Sequence, residues 1–133
     1  MPKAERDRYS ITLRAIGYVE NEFDGPVPAD AMREAESRIV LDPAFVPGLG
    51  GLEAGQQLLV LFIFHLSRGY ELFQHPRGDT SRPRRGVFAL RSPRRPNPIG
   101  LTEVQLVALE GDRLRVRGLD ALNGTPVLDI KPG

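Results

Sequence analysis

Leu101-Thr102-Glu103-Val104-Gln105-Leu106-Val107-Ala108-Leu109-Glu110-Gly111-Asp112-Arg113-Leu114-Arg115-Val116-Arg117 is the stretch that decides the fold. Thr102, Val104, Leu106 and Ala108 share one parity, with Glu103 and Gln105 on the other. Leu114 and Val116 alternate with Arg113, Arg115 and Arg117. Period two is the signature of a half-buried strand. Two such runs joined through Glu110 to Asp112 predict a β-hairpin.

The same reading extends in both directions. Ile11, Leu13 and Ala15 alternate with Ser10, Thr12 and Arg14, which predicts an early strand. Glu36 to Leu41 predicts another, with Ile39 and Leu41 on one face. Leu58 to Phe64 is continuously apolar, short, and rich in aromatic and β-branched residues, which predicts a buried strand. Gly86 to Leu90 predicts a further short strand, and Val127, Leu128 and Ile130 form the last apolar segment. Pro28 to Ala35 lacks glycine and β-branched residues and suits one or two helical turns. Pro43 to Gly51 is punctuated by proline and glycine and predicts loop. His65 to Arg85 is a long polar excursion, of the kind that is often functional or mobile. Asn123-Gly124 is a turn signal. Many short strands with frequent turns predict a mainly β fold, a small antiparallel barrel or sandwich with short helices and long loops.

Composition sets the outer bounds. At 133 residues the expectation is one domain, residues 1–133, with residues 1–8 as a flexible tail. There is no cysteine, which excludes disulfides, thiol catalysis and a Cys-based zinc site. His65 and His75, the two histidines, have no metal-site spacing, so no metal is expected. The charged start lacks the apolar core of a signal peptide, and Leu58 to Phe64 is too short to span a bilayer. A cytoplasmic protein without a membrane segment is expected. No Walker loop, G-x-S-x-G or H-E-x-x-H occurs, and Gly48-Leu49-Gly50-Gly51 lacks the dinucleotide-binding spacing.

Two segments are candidate sites. In Arg91-Ser92-Pro93-Arg94-Arg95-Pro96-Asn97-Pro98-Ile99-Gly100, three prolines exclude a central strand and hold the residues before them extended. The product is a stiff loop that presents three arginines, a serine and an asparagine at little entropic cost. A rigid connector would be equally stiff but has no need of those polar groups. Upstream, Arg77, Arg82, Arg84 and Arg85 complete a basic window whose one acid is Asp79. On charge alone this is a solvated loop, though such a stretch can also meet phosphates. The second segment runs from Asp120 to Pro132. Asp129 stands between apolar residues, where desolvation would matter, or pairs with Lys131 as a turn-stabilising carboxylate. Asn123 and Thr125 have an ordinary role as turn formers.

The two segments carry a resemblance. Gly86 to Leu101, with Asp120 and Leu122-Asn123-Gly124-Thr125-Pro126-Val127-Leu128-Asp129-Ile130-Lys131-Pro132, resembles the signature of the TsaA-like (TrmO) family. Gly51-Leu52-Glu53 and Leu61 to His65 resemble further family blocks. The likeness covers about Ile16 to the C-terminus.

The resemblance implies an S-adenosylmethionine-dependent methyltransferase with a β-barrel fold. It implies methylation of the exocyclic amine of N6-threonylcarbamoyladenosine beside the tRNA anticodon, by a homodimer with the cofactor near the subunit contact. The implied cofactor contacts are His65, Leu66, Arg91, Leu101, Leu122, Asn123, Gly124, Thr125 and Pro126. Arg91 suits the donor's carboxylate and Leu101 its adenine. Asn97 and Asp129 are the candidate catalytic acceptors for the amine. Arg84, Arg85, Arg94 and Arg95 are the candidate RNA contacts.

The chain departs from the family pattern at Leu90, at Asn123, at Gly55-Gln56-Gln57, within Gly25 to Asp30, and in ending at Gly133. A shifted substrate is therefore weighed beside the modified adenosine: another RNA, a small molecule, or ligand binding without turnover.

Overall fold

The computed structural model describes residues 9–133; the expected tail, residues 1–8, lies outside them. Six strands form one antiparallel sheet: β1 (Gly17–Glu20), β2 (Glu36–Leu41), β3 (Gln57–Ile63), β6 (Ile99–Glu110), β7 (Arg113–Arg117) and β8 (Pro126–Pro132). Two-residue strands β4 (Phe73–Gln74) and β5 (Arg85–Gly86) pair separately, and α1 spans Ala29–Glu34. The order in the main sheet is β1-β2-β7-β6-β3-β8, and β8 pairs again with β1 through Gly17↔Val127 and Tyr18↔Pro126. Every strand therefore has two neighbours, and the sheet leaves no full edge exposed to another chain.

The alternation expected for Thr102 to Arg117 is realised as the β6–β7 hairpin. It turns at Gly111, whose φ of 67° suits glycine. Strand β6 is longer than the sequence pattern. Its first half pairs with β3 and its second with β7. The register shifts between Leu106 and Ala108, a bulge that bends the strand from one neighbour towards the other. A second shift, on β8 opposite Leu61 and Phe62, does the same between β3 and β1.

The inward residues make one core. Val19, Ile39, Leu58, Val60, Phe62, Val104, Leu106, Leu114, Val116 and Val127 are all at most 2% exposed. Leu58, Val60 and Phe62 alternate with partly exposed neighbours, so the apolar run of β3 is inward-facing on one parity only. Gly100 faces this core, and a Cβ there would overlap the ring of Phe62 and press on Phe64. The two rings pack edge to face with centroids 5.2 Å apart.

Outside, β1, β2 and β7 carry paired charges. Arg38 Nε donates to Glu20 Oε1 at 2.8 Å, and Arg115 bridges Glu36 and Glu110. The hydrogen bond from Arg38 holds the Glu20 carboxyl below its ordinary value, with Arg38 and Arg113 adding field, against a smaller opposing effect of burial. Hydrogen bonds that Arg115 donates to Glu36 and then to Glu110 raise its pKa. Exposed pairs of this kind contribute little each.

Three expectations are corrected. Ile11 to Ala15 is not a strand. Ile11 and Leu13 are 78% and 58% exposed, because the ladder of β1 with β2 ends at Gly17↔Leu41 and the chain that would lie opposite residues 11–15 is the 3-10 helix Pro43–Leu49. Gly86 to Leu90 is not a strand beyond Gly86. Leu90 N donates to Val87 O at 3.1 Å, and the 3-10 turn so formed buries Val87 and leaves Phe88 80% exposed. Pro43–Leu49 is a 3-10 helix rather than loop, capped by Asp42, whose side chain accepts from Ala44 N at 2.9 Å.

Gly100→Ala is expected to destabilise the protein by about 1–3 kcal/mol through overpacking, read as a lower urea midpoint with unchanged slope. On the surface, the lowered Glu20 pKa gives stability that is present above the ordinary carboxylate range. That contribution is lost as pH falls through the depressed value. Glu20→Gln should therefore lower the melting temperature slightly near neutral pH, with the gap to wild type closing in acid.

Candidate functional site

One end of the sheet carries a cleft. The chain leaves β3 at Ile63 and continues through Phe64 to Arg68. The proline loop 91–98 runs beside it, and the segment 118–125 between β7 and β8 forms the opposite wall. Pro26, Val27 and Met32, the last 4% exposed on α1, close the third side. Together they line an open pocket of about 510 Å³. A broader open cleft adjoins this cavity, and Val27, Phe62, Phe64, Pro93, Arg94 and Asp120 belong to both.

The proline loop is fixed by hydrogen bonds as well as by its prolines. Phe64 N donates to Pro98 O at 2.8 Å, and Ser67 Oγ donates to Pro93 O at 3.1 Å. Gln74 holds it from the far side. Its Nε2 donates to Glu71 O and Arg94 O at 2.6 and 2.7 Å, while its Oε1 accepts from Ser92 Oγ at 2.6 Å. Gln74 escapes a reading of the sequence because nothing local marks a glutamine that bridges segments about 20 residues apart.

The opposite wall is built from the turn before β8. Thr125 is buried, and its hydroxyl donates to Leu122 O at 2.6 Å. Gly124 N donates to Val19 O and Asn123 N to Phe23 O, both at 2.7 Å. The Asn123 side chain accepts from Asn21 N at 3.1 Å and donates to Asp24 at 3.0 Å. His65 reaches this turn, with Nε2 at 4.0 Å from where a Cβ of Gly124 would lie.

The expected cofactor contacts therefore divide. His65, Leu66, Leu122 and Thr125 line the cavity. Arg91 and Leu101 line the adjoining cleft, where Arg91 Nη1 donates to Leu101 O at 3.2 Å. Asn123, Gly124 and Pro126 line neither, and shape the turn.

Asn97 is exposed and also lines neither cleft. Asp129 lies on β8 opposite Leu61, away from both. The desolvated setting expected for it is not found: its side chain is half exposed and paired with Lys131 at 2.9 Å. Strand alternation explains this, because Asp129 and Lys131 share the outward parity. Asp120 is exposed, lines both clefts, and enters no ion pair with another described residue.

The four arginines expected to meet RNA all border the open cleft. Arg94 pairs with Glu71 at 3.2 Å. Arg95 donates to Leu90 O and Ser92 O. Arg84 donates to Phe73 O and stacks over the Phe73 ring. Residues 66–101 hold eight arginines against Glu71 and Asp79, a surplus of six positive charges, while the whole chain carries only +1. The basic character is thus concentrated at the cleft, and the rest of the chain is acidic by five charges. No cluster of three metal-ligating side chains occurs among the described residues.

The cavity is thus assembled from the segments that the sequence singles out, and residues 17–133 match the model of the tRNA-methyltransferase O N-terminal domain. The chain belongs to the TrmO family. A probable S-adenosyl-L-methionine-binding protein of Methanothermobacter thermautotrophicus is 44% identical over 126 residues, covering 92% of this chain and 89% of the relative. A tRNA (adenine(37)-N6)-methyltransferase of Rattus norvegicus is also 44% identical, over 137 residues, but only 31% of that longer protein is covered. The crystal structure of TrmO from Pseudomonas aeruginosa superposes with a TM-score of 0.73 at 35% identity, over 93% of this chain. The chain spans about half of that solved structure, 56% of its length.

The role of Gln74 gives a direct test. Gln74→Leu removes three hydrogen bonds, those to Arg94 O and Ser92 Oγ among them. Hydrogen exchange in residues 91–98 should then accelerate about tenfold, with little change in the core strands. Equal exchange in the two proteins would show that the loop is held without Gln74.

Proposed function

We propose that this TrmO-family chain is an S-adenosylmethionine-dependent methyltransferase, and that it methylates the N6 amine of a threonylcarbamoyl-type adenosine next to the tRNA anticodon. We read the closed ring of strands as a small β-barrel forming a single domain. The observation that carries the proposal is the meeting of residues 62–68, 93–94 and 120–125 around one cavity of about 510 Å³. That is within the usual size of a small-molecule site, roughly 300–1,000 Å³. The cavity walls are largely apolar, as a purine needs, and Arg68, Arg94 and Asp120 supply charge at the mouth. The residues present fit the cofactor.

When bound, S-adenosylmethionine supplies an electrophilic methyl group on a sulfonium. The protein's share is placement, because transfer requires the amine in line with the methyl and its leaving sulfur. His65, Leu66, Leu122 and Thr125 hold the donor against the sheet. The stiff 91–98 loop, braced by Gln74, holds the other wall in register. Arg91 and Leu101 extend the site along the adjoining cleft. Asp120, at the junction of the two clefts, is an acceptor able to orient the single N6–H of the carbamoylated adenosine and to take its proton as the methyl moves from sulfur to nitrogen. Asn97 and Asp129, candidates for that role in the sequence, lie outside both clefts. The arginine surplus draws in a polyanion and steers tRNA to the open cleft. Exposed Leu66, Phe73 and Phe88, which line the two clefts, support a homodimer that covers them. The expected compartment is the cytoplasm; no helix among the described residues is long and apolar enough to cross a membrane.

One observation favours a narrower reading. The archaeal relative of matching length is named for cofactor binding, whereas the relative named for tRNA methylation is a much longer chain. The narrower reading is a cofactor-binding module without turnover of its own.

Calorimetry with S-adenosylmethionine tests the shared part. Wild type should bind, and His65→Ala and Arg91→Ala should each weaken binding about tenfold, as expected for a lost hydrogen bond to a charged group. No heat of binding to wild type would end both readings. Mass spectrometry of tRNA nucleosides then separates them: an N6-methylated threonylcarbamoyladenosine that appears only with active protein supports the methyltransferase, and binding without any new methylation supports the module.

A further inference from the structure

The wall of the cavity that carries Leu122 and Thr125 is held from behind by a small polar cluster outside the site. Asn123 is its centre. Its Oδ1 accepts from Asn21 N at 3.1 Å, and its Nδ2 donates to Asp24 Oδ1 at 3.0 Å. Asn123 N donates to Phe23 O at 2.7 Å. Asn21 faces the other way, with Oδ1 accepting from Phe23 N at 2.9 Å and Nδ2 donating to Ala121 O and Ser37 Oγ at 2.9 and 3.0 Å. The segment Asn21 to Asp24 is thereby tied to both ends of Ala121 to Asn123. It is also the segment that leads into Pro26 and Val27 on the cavity's third side.

We infer that Asn123 and Asp24 form a polarity-matched latch that positions the Leu122–Thr125 wall of the ligand cavity against the Pro26–Val27 side. Asn123 is a positioning residue. It lines neither cleft, and it acts through the backbone of the residues that do.

The match is chemical. Asp24 is an acceptor only, so its partner must donate, and the Asn123 amide does so. An aspartate in place of Asn123 would still accept from Asn21 N, but it would set a second carboxylate about 3.0 Å from the first. Two carboxylates that close cannot both ionise without repulsion, and one of them binds a proton at higher pH than usual. Adding Asp24→Asn restores the donor from the opposite side, because the new amide can donate to the introduced carboxylate while Asn21 N donates as before. The groups hydrogen-bonded around the latch are neutral: Ser37, Asn21 and the backbone of Phe23, Ala121 and Leu122. His65 is a titratable side chain that reaches the same turn at Gly124, and comparison with wild type at each pH cancels its contribution.

The inference rests on the proposed S-adenosylmethionine site only for its ligand readout. Affinity for S-adenosylmethionine and melting temperature are measured from pH 5 to pH 8 for wild type, Asn123→Asp and the double variant Asn123→Asp with Asp24→Asn. Asn123→Asp should bind about tenfold more weakly at pH 8, regain most of that affinity near pH 5, and show a melting temperature that rises on acidification relative to wild type. The double variant should recover affinity and lose the extra pH dependence. If wild type binds no S-adenosylmethionine, the functional proposal fails, and the melting profiles alone decide the latch. Asn123→Asp profiles that parallel wild type, or a double variant no better than the single, would overturn it.

Discussion

The two-residue seam between β1 and β8 is the constraint on which the rest depends. Gly17 pairs with Val127 and Tyr18 with Pro126, and no other register pairs join these strands. Around the seam, Ile16 N donates to Val127 O, Val19 N to Thr125 O and Gly124 N to Val19 O. These few bonds close the sheet and fix the turn that becomes a wall of the cavity. A Cβ at Gly17 would overlap Val40 O, so only glycine lets β1 lie this close to β2 while it reaches β8. The short seam is possible because β8 carries a bulge opposite Leu61 and Phe62, which turns it from β3 towards β1.

The core and the site share material. Phe62 fills the interior, and its ring lies over Gly100 and against Phe64. The same two phenylalanines form the floor common to both clefts. Packing inside the ring thus sets the depth of the site. Polar fastening by Gln74 on one wall and Asn123 on the other sets its width. Four of the eight arginines of residues 66–101, Arg84, Arg91, Arg94 and Arg95, are occupied in hydrogen bonds or ion pairs. Arg94 and Arg95 hold carbonyls and Glu71 while remaining at the cleft's edge. A single basic loop therefore serves both structure and field.

The framework of the candidate site was legible in the sequence because its two segments carry local signals. Three prolines make residues 91–98 stiff wherever they are placed, and Asn123-Gly124 turns wherever it occurs; the φ of 83° at Gly124 bears that out. Illegible were the contributions that depend on distance in space. Gln74, Met32 and Pro26 carry no local mark of their role. Asp129 shows the converse. Its apolar neighbours suggest burial, yet strand alternation sends those neighbours and the carboxylate to different faces, and Lys131 takes the outward partner position.

The sequence by itself determined β2 and the β6–β7 hairpin through their alternation, and β3 through its short, continuous apolar run. Inward side chains at every second residue, with polar groups between them, leave the hairpin one arrangement of faces. Tertiary structure decided what alternation cannot. Ile11 to Ala15 has the pattern of a strand but no strand to pair with, because β2 ends at Leu41, opposite Gly17, and continues into the 3-10 helix Pro43–Leu49. A period-two pattern selects a face, but only a free ladder position makes a strand. The same rule governs the site, where the proline loop's stiffness is written in residues 91–98, and its place beside His65, Leu122 and Asp120 exists only once the ring of strands has closed.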